Sequence, residues 1–132
     1  MITSMLPVTP PMNCYVITLP WPLSFNSYKD RYQRTSKKGR IWRDATVDII
    51  RQQCGGMSAE PLIGRVAIYW ELWSPDDKRR RDLDNYTGKH ILDALVKAQV
   101  IGDDNLSVLV EEHKYYRGKF ESGGLIITVM EV

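Results

Sequence analysis

Asp82-Leu83-Asp84 sets two carboxylates two residues apart, on one side of an extended segment and just before a stretch with helical spacing. The positive end of that helix favours negative charge there. Such a pair can share a divalent cation, because Mg²⁺ takes one or two protein carboxylates and fills its shell with water and phosphate oxygens. Arg79, Arg80 and Arg81 directly precede the pair, and Asp103-Asp104 follow the next helix. Cations that hold a polyanion, beside carboxylates that hold a metal, are what metal-dependent phosphodiester chemistry requires. Alone, D-x-D says less: it also caps helices and occurs in calcium loops and sugar-nucleotide transferases. The flanking charges favour the phosphodiester reading over the sugar-nucleotide one, which also lacks its Gly-rich loop here, and leave helix capping as an equal alternative.

The net charge of +2 conceals this signal. Residues 29–43 hold Lys29, Arg31, Arg34, Lys37, Lys38, Arg40 and Arg43 against Asp30 alone, and residues 78–81 are Lys-Arg-Arg-Arg. Residues 82–112 carry seven acids against Lys89 and Lys97. The first basic stretch is interleaved with Tyr28, Tyr32 and Trp42, a pattern that can track phosphates and stack on opened bases.

The elements that must position these residues follow from periodicity. Cys14 to Leu19 is rich in β-formers, and Pro20-Trp21-Pro22 stops it, which predicts a first strand. Ser24 to Arg40 shows neither helical nor strand period and reads as a long loop. Trp42, Ala45, Thr46, Ile49, Ile50 and Cys54 recur at helical steps before Gly55-Gly56, giving an amphipathic helix. Val66 to Trp73 alternates with both faces apolar and so reads as a central strand, which Ser74-Pro75 ends. Asn85 is a good N-cap for a second helix through Ile91, Leu92, Leu95, Val96 and Gln99, closed by Gly102. Val108 to Tyr116 and Leu125 to Glu131 flank Gly118 to Gly124 as a hairpin. The expected architecture is a single α+β domain, a mixed sheet with two helices in the order β-α-β-α-β-β.

A chain of 132 residues, 43% hydrophobic and 26% charged, suits one domain, here 14–132. It buries enough surface to need no disulfide or structural metal. Residues 1–13, with Pro7, Pro10 and Pro11, read as an extended N-terminal tail outside the fold, and Met12 is a second candidate start. No apolar run approaches the ~20 residues of a membrane span, and no secretory signal opens the chain, so a cytoplasmic protein without a membrane partner is expected. Cys14 and Cys54 match no zinc or redox spacing and read as reduced core residues.

Arg79-Arg80-Arg81-Asp82-Leu83-Asp84-Asn85, then Leu92-Asp93-Ala94-Leu95, then Asp103-Asp104, resembles the core signature of the RusA family of Holliday-junction resolvases, common in phages and prophages. Ile17-Thr18-Leu19-Pro20-Trp21-Pro22, followed by Ser24 and Asn26, is similar to that family's opening strand and Pro-rich turn. The likeness spans roughly residues 13–131. It implies a RusA-like, intertwined homodimer that nicks two strands of like polarity at a four-way DNA junction, in recombination and repair. It also implies a Mg²⁺ cofactor, with Mn²⁺ as an alternative, and no small-molecule cofactor. Carried over by position, Asp82, Asp84 and Asp104 are the catalytic and metal-binding acids and Lys89 the catalytic lysine. The family's lysine follows the second aspartate by four residues, whereas here that position is Gly88 and Lys89 comes one later. Lys29, Arg31, Arg34, Lys37, Lys38, Arg40, Arg79, Arg80 and Arg81 are the expected DNA contacts. The alternative function is a catalytically inert junction-binding protein of phage origin, against which the intact aspartates argue.

Hydrolysis needs neither His90 nor His113. Distance is the difficulty, since a straight helix over residues 85–100 would be about 24 Å long and would hold Asp84 and Asp104 apart. Either the chain folds back after Gly102, or Asp104 of one subunit completes the site of the other.

Overall fold

The computed structural model describes residues 1–7, 14–55, 62, 64–77 and 80–132. Strand β1 (Cys14–Leu19) leads into a one-turn helix α1 (Phe25–Tyr28) and the long helix α2 (Lys37–Gln53). Strand β2 (Val66–Ser74), a 3-10 turn (Leu83–Asn85), helix α3 (Lys89–Lys97) and strands β3 (Leu109–Lys119) and β4 (Gly124–Glu131) complete the chain. The sheet is mixed, in the order β1-β4-β2-β3, with β2 and β3 parallel and the other pairs antiparallel. The α+β class and the central place of β2 are as the sequence led us to expect, with α1 as an added third helix.

Three local expectations are corrected. The basic stretch is not a structureless loop. Ser24 caps α1 and Ser36 caps α2, each hydroxyl accepting an N–H three residues on, so α2 starts five residues before its apolar stripe. Polar and basic residues fill that first turn, which is why periodicity missed it. Nor do β3 and β4 form a hairpin. They are separated by β2, whose side chains are buried on both faces, while β3 is half exposed along its length and takes the edge. A parallel β2–β3 pair needs a crossover, and the turn and α3 provide it. The third correction concerns Asn85, which does not cap α3. Its Oδ1 accepts the Asn26 N–H at 3.0 Å and so ties the 3-10 turn to α1.

The core lies between the sheet and the helices. Ile68, Trp70 and Leu72 of β2 and Ile127 of β4 pack on Val47 and Ile50 of α2 and on Ile91 and Leu95 of α3. On the opposite face of β2, Glu71 is fully buried. Arg117 Nε donates to it at 3.0 Å, and Ser4 Oγ and the Met5 N–H donate at 2.5 and 2.8 Å. A buried carboxylate is stable only with its acceptors filled. Residues 1–7 carry no helix or strand, but Ser4 and Met5 bond to this charge and Ile2 lies against Gly124 of β4; the rest of the proposed tail, 8–13, lies outside the described residues. Both cysteines are free thiols, Cys54 buried and Cys14 partly so, and burial pushes the Cys54 thiol up to about 11. Among the described residues, no helix is long and apolar enough to cross a membrane.

Candidate active site

The acidic motif sits where the chain leaves β2 and turns toward α3. Asp82 is the extended residue before the 3-10 turn and Asp84 lies within it. Both carboxylates are exposed and open on one cleft with Phe25, Asn26 and Asn85. The Asp82 carboxylate has no hydrogen bond or ion pair among the described residues. Asp84 Oδ1 is met at 3.0 Å by Lys114 Nζ, which also donates to the Thr87 carbonyl at 3.1 Å and lies 5.9 Å from the centre of the Trp70 ring. Lys114 is the residue that sequence reasoning missed. It belongs to an edge strand, 30 residues from Asp84, and only the parallel β2–β3 pairing brings it under the turn.

Gly88 precedes α3 with φ of 153°, a conformation that favours glycine. A Cβ there would stand 3.4 Å from the Asp84 carbonyl and 3.9 Å from Lys114 Nζ. A lysine at position 88 would therefore be strained and set against a second cation, and Lys89 carries the charge one residue later. Lys89 Nζ donates to Asp104 and pairs with Asp93 at 3.2 Å. The hydrogen bond from Lys89 holds the Asp104 carboxyl below the usual carboxylate range.

This contact brings Asp104 back to the start of α3 but not into the cleft of Asp82 and Asp84. Helix α3 has nine residues, and the chain reverses at Gln99, whose φ is 64°. Asp104 thereby returns to the first residue of α3 within the same chain. It lines a separate hollow with Lys89 and Leu92 rather than the cleft of Asp82 and Asp84. Among the described residues, no three His, Cys, Asp or Glu side chains form a ready metal-holding group.

His90, next to Lys89, is fully buried among Phe25, Tyr28 and Trp42. Its Nε2 lies 2.8 Å from the Leu23 carbonyl, which can only accept, so the proton is on Nε2. Burial pushes its pKa down to about 4. The ring is a neutral pin between α3 and the segment entering α1.

The basic residues divide into two groups. Asp30 accepts the backbone N–H groups of Tyr32 and Arg34 and the Nε of Arg34, folding residues 30–34 into a tight turn. Arg31 and Arg34 flank the exposed Tyr32 ring, and Lys29 lies over Phe25 and Tyr28. Arg40 donates to the Thr35 carbonyl, and Lys37 and Lys38 stand exposed in the first turn of α2. Gly39 allows this turn to approach α1, because a Cβ would lie 2.5 Å from the Tyr28 carbonyl. Arg80 is exposed, whereas Arg81 is mostly buried, bonded to Asp76 and laid over Trp21. Arg79 lies outside the described residues.

The sequence profile of the family described as Endodeoxyribonuclease RusA matches residues 22–130. The chain is 39% identical over 125 residues to the crossover junction endodeoxyribonuclease of Enterobacteria phage 82, across 92% of this chain and 98% of that protein. It is 38% identical over 126 residues to the enzyme of the same description from Escherichia coli K12, with the same coverage. To that of Shigella sonnei it is 38% identical over 125 residues, again across 92% and 98%.

Proposed function

Because the chain belongs to the RusA family of endodeoxyribonucleases, we propose that it resolves four-way DNA junctions by paired nicks, as a homodimer that uses Mg²⁺. The observation that carries this reading is the pair of exposed carboxylates, Asp82 and Asp84, opening on one cleft beside a buried-side lysine and an exposed arginine. Their hard oxygen donors fit Mg²⁺, and Asp82 and Asp84 would hold it, with Asp104 as the third acid of the family pattern. When bound, the metal supplies a nucleophilic hydroxide at neutral pH and charge compensation on the phosphate.

The protein's own residues do the rest. Lys114, fixed by the Thr87 carbonyl, orients Asp84 toward the cleft. Lys89 stands exposed and can exchange Asp104 for a phosphate oxygen as negative charge develops there. Lys37 and Lys38 are placed against the helix dipole, at the positive end of α2, whose first turn holds no acidic residue. A helix N-terminus with two lysines is instead a site for DNA phosphate, and Arg31, Tyr32 and Arg34 extend it with cations around an aromatic face. Phosphate contacts release counterions, so junction affinity falls steeply with salt. Cutting two strands in step calls for two active sites and hence two chains.

The test compares a synthetic four-way junction with a matched linear duplex, in Mg²⁺ and in EDTA, for wild type and Asp84→Asn. Cutting confined to the junction, to Mg²⁺ and to wild type is expected. Equal cutting of both substrates would remove junction specificity, and cutting in EDTA would remove the metal.

A further inference from the structure

A second hollow, of about 370 Å³, adjoins the carboxylate cleft, and Asp82 and Leu83 line both. Its volume lies within the roughly 300–1,000 Å³ of ligand pockets. Trp21 and Tyr86 line it with their ring centres 4.5 Å apart, and the Arg81 guanidinium lies 5.4 Å from the centre of the Trp21 ring. Tyr116 also lines it. It is 56% exposed, and its hydroxyl is fixed 2.7 Å from Ser74 Oγ across the β2–β3 pair. An exposed aromatic ring held in place at its far end is a stacking platform rather than a core residue.

The polar lining says what would occupy it. Arg80 and Arg81 face three carboxylates, Asp76, Asp77 and Asp82, so the hollow does not favour a second phosphate. It offers donors and acceptors together around an apolar floor. The Ser74–Tyr116 pair keeps one hydroxyl hydrogen to give, and Arg80 and the three carboxylates supply charged donors and acceptors at the rim. A flat, uncharged ring with donors and acceptors on its edge satisfies these groups.

We propose that this hollow receives one unstacked nucleobase, next to the phosphate that is cut, and that Tyr116 is its stacking partner. The proposal rests on the nuclease reading of Asp82 and Asp84, since their cleft fixes where the scissile phosphate lies. A base taken from the stack beside the nick would make cleavage depend on local sequence, with the cost of unstacking repaid by the aromatic wall.

The experiment is a double-mutant cycle across the interface. Wild type and Tyr116→Ala are each given four-way junctions in which one nucleotide flanking the nick is normal or abasic, and kcat/KM is read at that nick. For wild type, the abasic change at one position lowers kcat/KM about tenfold. Tyr116→Ala lowers it about tenfold on the normal junction and is then indifferent to the abasic change. Tyr116→Phe keeps the ring and stays within about threefold of wild type. The urea midpoint of each variant reports folding, which Tyr116, on an exposed edge, hardly supports. Losses that multiply independently, or no loss at any flanking position, overturn the base pocket while leaving the nuclease intact. A wild type that cuts no junction overturns the nuclease reading, and this proposal with it.

Discussion

Asp84 and Asp104 each meet a lysine, but in opposite senses. At Asp84 the carboxylate is 86% exposed and Lys114 only 23%, its ammonium also tied to the Thr87 carbonyl. At Asp104 the carboxylate is 18% exposed and Lys89 58%. One end therefore presents a free anion on a fixed cation, and the other a free cation on a fixed anion. The free groups are the ones that can change partner as substrate arrives, so Asp84 is suited to hold a metal and Lys89 to reach a phosphate. Lys114 and Asp104 keep them in place until then.

The largest effect is expected at the free anion. Asp84→Asn keeps shape and loses charge, and cleavage should fall about 10³-fold or more, while junction binding in EDTA is retained. Mixing Asp84→Asn and Asp104→Asn subunits sharpens the comparison further. The fold-back places Asp104 against Lys89 of its own chain, so each mixed dimer should contain two damaged sites and recover no nicking. Recovery of single-strand nicking would show instead that Asp104 serves the partner's Asp82 and Asp84.

Both lysines depend on the start of α3, which His90 pins to the Leu23 carbonyl. The folded protein holds His90 neutral down to about pH 4, whereas the unfolded chain protonates near its ordinary 6.5. Between those values the unfolded state binds more protons, so stability is full above 6.5 and declines as pH falls toward 4. The whole window is worth roughly 3 kcal/mol. Urea midpoints measured from pH 7.5 to 4.5 should show this slope in wild type. His90→Phe fills the aromatic pocket but removes the titration and should flatten it; an unchanged slope would mean that the loss comes from other groups.

Much of this was legible in the sequence, and the rest was hidden for physical reasons. Runs of β-formers bounded by Pro or Gly located β1 and β4, and alternation with two apolar faces located β2, because these are patterns local to each strand. The Asp82–Asp84 pair declared itself because both acids are local to one motif. Lys114 did not, since its role comes from a strand pairing between distant segments and no local pattern encodes it. The false hairpin has the same root: glycines between two strands suggest adjacency, but the choice of neighbour belongs to whichever strand can be buried on both sides, and that was β2. The straight helix over residues 85–100 failed through backbone conformation, with a 3-10 turn and Gly88 before it and a reversal at Gln99 after it.

The next largest effect tests the free cation. Lys89→Met retains the stem but loses the charge that would meet the phosphate, and kcat should drop about 10²-fold with KM little changed, as expected when a cation acts on developing charge. Lys89→Arg should recover part of the loss.

The fixed cation should matter least, because the Asp84 backbone is held independently by the 3-10 turn and by Asn85 bonding to α1. Lys114→Met is expected to cost about tenfold in cleavage by letting the Asp84 carboxylate rotate. It should also cost about 1 kcal/mol of stability, since the Thr87 carbonyl loses a donor. The informative quantity is the ratio of the two lysine effects, since the division into free and fixed groups predicts that Lys89 outweighs Lys114 in kcat. If Lys114→Met is the more damaging to kcat and Lys89→Met nearly silent, exposure has misidentified the acting lysine. The cation on the turn would then be the one that faces the phosphate.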